Sequence, residues 1–110
     1  MNGVKPFEID MANRPKHHDP IRRKVVATLS EVLREKRARL RLSQESVAHL
    51  AEIDRSHMGE IERGAVDPTI TLVFKISGAL QLRPSQLVGL FEKRFEVRQT
   101  PASRREQVLD

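Results

Sequence analysis

Residues 43–64 read SQESVAHLAEIDRSHMGEIERG, and this stretch restricts the fold more than any other. Ser43 is a good N-cap. Gln44 and Glu45 follow in the first turn, and Val47, Ala48, Leu50 and Ala51 supply the apolar side of a short helix. Asp54 caps a second helix, and only Glu52 and Ile53 stand between the two. A joint of that length forbids antiparallel stacking, so the helices meet at a large angle. The second helix offers little to a core, since the segment from Arg55 to Arg63 holds only Met58 and Ile61 as large apolar residues. A helix of a small domain ordinarily commits a broad apolar stripe, so most of this surface is reserved for something other than packing.

The rest of the chain continues the helical reading. Asp19-Pro20 pairs an N-cap with a residue favoured at the first helical position, and Val25, Val26, Leu29, Val32, Leu33 and Leu40 follow on a long first helix ending near Arg39. Gly64 stands where a left-handed glycine closes the third helix. Thr69 caps a fourth, whose apolar positions Ile70, Leu72, Val73, Phe74, Ile76, Ala79 and Leu80 nearly encircle it. That pattern predicts the most buried, central element of the domain. Pro84 opens a fifth helix with Leu87, Val88, Leu90, Phe91 and Phe95 on one side. No segment alternates as a strand would. The expectation is all-α with five helices: a flexible basic arm over 1–18, a folded domain over 19–92, and a C-terminal extension over 93–110 that combines a candidate dimerisation segment with a mobile tail.

A chain of 110 residues buries a modest core and leaves little room for a deep catalytic cleft. The absence of cysteine excludes disulfides and thiol chemistry. The N-terminus has no apolar run of signal-peptide length, and no stretch approaches the roughly 20 apolar residues that span a bilayer, so a soluble cytoplasmic protein is expected. The net charge is +5. Most of the excess sits at the ends: residues 24–92 carry ten basic against nine acidic side chains, while 1–23 and 93–110 each carry five against three. His17 and His18 lie in the arm, His49 and His57 lack metal-ligand companions at suitable spacing, and no acid pair or nucleophile arrangement stands out. Neither an enzyme nor a cofactor is expected. Four Phe with no Trp or Tyr make a poor stacking platform for single-stranded nucleic acid.

The run LSQESVAHLAEIDRSHMGEIERG followed by DPTITLVFKISGALQLRPSQL closely resembles the Cro/CI-type helix-turn-helix DNA-binding domains, the Xre-like or lambda-repressor-like family, over about residues 29–92. The resemblance implies a compact five-helix domain in which the helix beginning at Arg55 enters the DNA major groove and the preceding helix crosses above it. Ala48 matches the small residue that lets these helices approach, and Val47, Ile53, Met58 and Ile61 match apolar positions. Glu52 departs from the pattern, because the family most often has Gly there. A side chain in the left-handed region costs roughly 1–2 kcal/mol, so the turn either carries that strain or differs in geometry.

The resemblance also assigns roles. Base reading falls on Arg55, Ser56 and Glu60: Arg suits guanine O6 and N7, Glu accepts from cytosine N4, and Ser serves several bases. The competing reading pairs Arg55 with Glu60 in solvent, and His57 stands between groove and solvent. Gln44, behind its cap Ser43, is placed at a helix N-terminus where a DNA phosphate is favoured, and Arg63 approaches the backbone. Arg37 and Glu62 match a partly buried ion pair that orients the recognition helix. Arg34, Lys36, Arg37, Arg39 and Arg41 surround helix 1 and cannot all face one duplex. Arm residues Arg14, Lys16, Arg22 and Arg23 are a source of non-specific affinity. Leu87, Leu90, Phe91 and Phe95 form the expected homodimer patch. The expected function is a sequence-specific regulator of transcription, a repressor bound to a palindromic operator in double-stranded DNA and so associated with the nucleoid. Glu45 lies where some relatives touch RNA polymerase. The alternative is an antitoxin-like module whose main partner is a protein toxin, with DNA binding for autoregulation.

Overall fold

The computed structural model describes residues 19–99. Among them the chain forms five helices and no strand: α1 Pro20–Arg39, α2 Gln44–Ala51, α3 Arg55–Glu62, α4 Ile70–Ala79 and α5 Pro84–Gln99. The arm, with Arg14, Lys16, His17 and His18, and the tail beyond 99 lie outside the described residues. No break falls at residue 92, because α5 runs through it.

The helix starts follow the sequence. The Asp19 carboxylate accepts from the backbone N–H of Ile21 and Arg22 at 3.0 and 3.3 Å. Ser43 Oγ accepts from Ser46 N–H at 2.9 Å, and Thr69 Oγ1 from Leu72 N–H at 3.2 Å. Asp54 has the extended backbone of an N-cap, yet its side chain makes no capping hydrogen bond. This leaves donors of the first turn of α3 without a side-chain acceptor.

The endings of α1 to α4 share one device. Arg41, Glu52, Gly64 and Gln81 all have positive φ, between 58° and 72°. Around each, two backbone bonds close the last turn in the Schellman arrangement. For α2, Glu52 N–H donates to the His49 carbonyl and Ile53 N–H to the Ala48 carbonyl; Leu42 N–H reaches back to Arg37 and Leu82 N–H to Ser77 in the same way. The apolar residue that follows the left-handed one, Leu42, Ile53 or Leu82, packs against the core, which holds the chain to this reversal. The turn after α2 therefore takes the left-handed conformation that suits glycine, with a glutamate at φ 59°, ψ 47°.

The core is built from Val32 and Leu33 of α1, Val47, Ala48 and Ala51 of α2, Met58 and Ile61 of α3, and Ile76, Ala79, Leu80 and Leu87 from the second half of the domain. The main helix neighbours are α2 with α3 and α4, α1 with α3 and α5, and α4 with α5. The expectation that α4 is the most buried element is corrected. Of its apolar ring only one side is covered, and Ile70 and Phe74 are 67% and 59% exposed. They stand one turn apart on a single exposed flank of the helix.

The end of α5 is tied to α1 by charge. Arg94 bridges Glu31 at 3.3 Å and Glu35 at 2.5 Å, and Arg98 pairs with the other oxygen of Glu31. Hydrogen bonds from Arg98 and Arg94 hold the Glu31 carboxyl below the usual carboxylate range, and Arg94 does the same for Glu35. The carboxylates in turn raise the Arg94 guanidinium.

Candidate nucleic-acid interface

Two kinds of side chain occupy α3. Met58, Gly59, Ile61 and Glu62 are buried, whereas Arg55 and Ser56 in its first turn are exposed. The buried set includes a carboxylate, and its partners explain how it is tolerated. Arg37 Nε and Nη2 of α1 donate to Glu62 at 2.6 and 3.0 Å, and the Gln44 amide of α2 donates to Oε1 at 2.9 Å. Arg34, one turn before Arg37, donates to the Glu62 backbone carbonyl at the end of α3. Arg37 Nη1 also reaches the Leu42 carbonyl at 2.8 Å. A charge removed from water is retained only when paired and hydrogen-bonded, and Glu62 has a charged and a neutral donor. Its node fixes the approach of α3 to both α1 and α2.

The exposed face is less tied. Arg55 has no hydrogen bond or ion pair among the described residues, so the pairing of Arg55 with Glu60 is absent. Glu60 instead neighbours His57, whose Nδ1 lies 3.8 Å from Oε1. His57 is half-buried, and its Nε2 is enclosed without a partner. At Gly59, in the middle of α3, a β-carbon would lie 3.2 Å from Nη1 of Arg63. The Arg63 side chain folds back over the glycine toward Gln44, whose Oε1 would be 3.6 Å from the same point. Ser43, Gln44 and Arg63, the expected phosphate contacts, thus gather at the α2 start and the α3 end, although the Gln44 amide is engaged by Glu62. Sequence reasoning missed the Arg34 and Gln44 links to Glu62; the available signal was the spacing of Arg34 three residues before Arg37, which puts both on one face of α1.

The dimer candidates divide. Leu87 is 1% exposed and belongs to the core, so it is corrected out of any surface patch. Leu90 is exposed, and the half-buried rings of Phe91 and Phe95 stack at 5.5 Å.

A helix-turn-helix family model, HTH_3, matches residues 33–87, half of the sequence. The chain belongs to the helix-turn-helix family. Among solved structures, the restriction-modification controller protein C.AhdI from Aeromonas hydrophila is 35% identical, with a TM-score of 0.55 over 56% of this chain and 94% of that one. The controller protein C.Esp1396I, seen as a tetramer in complex with its natural 35 base-pair operator, superposes with a TM-score of 0.62 at 22% identity, over 64% of this chain and 93% of that one. The clp gene regulator ClgR from Corynebacterium glutamicum gives 0.63 at 17% identity, over 76% and 86%. These last two show the shared fold. No curated protein matches the sequence. This helix-turn-helix protein is a DNA-binding transcriptional regulator, from a family of regulators rather than enzymes. Among its described residues no helix is long and apolar enough to cross a membrane.

Proposed function

We propose that this protein represses transcription by binding a palindromic operator as a homodimer, with α3 of each subunit in the major groove. The observation that carries the reading is Arg55: an exposed guanidinium with no partner among the described residues, on the first residue of a helix whose outer face is nearly free of large apolar groups. An unpaired Arg can donate two parallel hydrogen bonds to guanine O6 and N7. Ser56 beside it and Glu60 one turn on supply a hydroxyl and an acceptor for neighbouring bases, with His57 oriented toward Glu60. Ser43, Gln44 and Arg63 set the register on the phosphates. Two-fold pairing through α5 presents two such helices to the halves of a palindrome. The 35% identity to the controller protein C.AhdI supports the regulatory reading.

The test is selection of bound duplexes from a random pool, with wild type and Arg55→Ala compared at one stated salt concentration. Wild type is expected to enrich a palindrome. Arg55→Ala is expected to lose about 1–3 kcal/mol and to relax preference at one guanine in each half. Enrichment of no sequence by wild type rejects the proposal, and a promoter carrying the selected site, placed before a reporter, decides repression against activation.

A further inference from the structure

A cleft of about 280 Å³ lies between α1 and the end of α3, with Arg22, Arg23, Arg34 and Arg63 in its walls together with Ser30 and Glu31. Its charge is largely uncompensated. Glu31, the acid of the cleft, already has both oxygens engaged by Arg94 and Arg98. Arg34 hydrogen-bonds neutral acceptors, the Glu62 carbonyl and the Ser30 hydroxyl. Arg23 and Arg63 have no ion pair among the described residues, and Arg22 is held only loosely, 3.5 Å from a half-exposed Asp67. Four arginines line the cleft against a single acid that is already paired, an arrangement suited to a multiply charged oxyanion.

We infer that this cleft binds a phosphate group. Its volume falls below the roughly 300–1,000 Å³ typical of sites that enclose an organic ligand, and it leaves room for a phosphate or pyrophosphate. The cleft is also a property of this chain beyond its family segment. The family match begins at residue 33, so Arg22, Arg23, Ser30 and Glu31 stand on helical turns upstream of it. Arg63 belongs both to the cleft and to the end of α3, so a phosphate held there sits beside the DNA-reading face. The phosphate has two chemical sources: a DNA backbone phosphate outside the reach of α3, or a free phosphate ester or pyrophosphate. Only the first rests on the function proposed above.

The experiment uses the full chain, Arg23→Ala, the double variant Arg22→Ala/Arg23→Ala, and Arg39→Ala at the far end of α1 as a control that matches the charge change of the single variant. Operator binding is measured across a salt series, and inorganic pyrophosphate is titrated without DNA at constant ionic strength. With a backbone phosphate, the slope of log K against log salt falls by about 0.9 for each phosphate that the variant no longer neutralises, while base preference is unchanged and Arg39→Ala keeps the wild-type slope. With a free phosphate, wild type and Arg39→Ala bind pyrophosphate saturably at one site, the cleft variants do not, and the salt slopes coincide. Equal slopes combined with absent pyrophosphate binding, or with binding that survives in the cleft variants, overturn the inference. If no duplex is enriched, the proposed function fails while the pyrophosphate titration still decides the cleft.

Discussion

Arg37 lies 2.6 Å through Nε and 3.0 Å through Nη2 from the two oxygens of Glu62, a carboxylate with a relative exposure of 1%. A bidentate pair in that setting behaves unlike a surface bridge, because removing one partner strands the other's charge away from water. Arg37→Ala is expected to lower stability by about 3–5 kcal/mol, a large part of what a domain of this size possesses. Replacing both residues with Met is expected to recover most of the loss. Urea unfolding of the two variants checks this, and a single-variant cost under about 1 kcal/mol would place the pair with ordinary surface bridges.

Glu52 closes α2 at φ 59°, a conformation for which its β-carbon is poorly suited. Glu52→Gly removes roughly 1–2 kcal/mol of strain and adds back some unfolded-chain entropy. The net expectation is a gain of about 0.5–1 kcal/mol. Gly64→Ala, at φ 72°, is expected to lose a similar amount. Thermal midpoints moving in opposite directions support the shared geometry, and coincident midpoints reject it.

The pairing of α5 with α1 depends on pH. Glu31 and Glu35 are held below the usual carboxylate range by Arg94 and Arg98, so their folded forms bind protons less readily than the unfolded chain. The stabilisation is present above the unfolded value of about 4.3 and is lost as pH falls through the lower folded values. These groups are partly exposed to solvent, so salt screens the effect. Hydrogen exchange at residues 94–98 is expected to accelerate on acidification into that window and in Arg94→Ala at neutral pH, with α2 and α3 unaffected. Unchanged exchange at those residues in Arg94→Ala would show that the Arg94 bridges do not hold the helix end.

Subunit pairing is expected to use a flank of α5. Leu90 and Val97, seven residues apart, are exposed along one flank, while Val88 and the half-buried Phe95 line the other. Wild type is expected to sediment as a dimer at tens of micromolar. One of Leu90→Asp and Val88→Asp should yield a monomer, and whichever does so identifies the pairing flank. A monomeric wild type removes the dimer from the functional reading.

The helix starts were legible because a cap and the first apolar residue are neighbours in sequence. So was the shortness of the joint between α2 and α3. The burial of α4 was not, because an apolar ring says nothing about which of its faces has a partner; α2 and α5 cover one side and leave Ile70 and Phe74 outside. Leu87 and Leu90 differ by one helical turn, yet the small rotation between them separates core from surface. Arg41 and Gln81 adopt the left-handed conformation without the glycine that would announce it, since the following Leu42 and Leu82 enforce it from the core. At the site, periodicity exposed a helix with little to bury, and the residue roles came from resemblance. The partners of Glu62 span three helices, a grouping no local pattern contains.

Helix α1 touches both ends of the proposed work. Its second half holds Glu62 of α3 through Arg37, while Glu31 and Glu35 of the same half hold Arg94 and Arg98 of α5. In a dimer joined at α5, the separation of the two reading helices is then dimensioned by a single unbroken rod in each subunit. Operator spacing would then be set by a distance across α1, and a protein of this design would tolerate a changed base more readily than an inserted one.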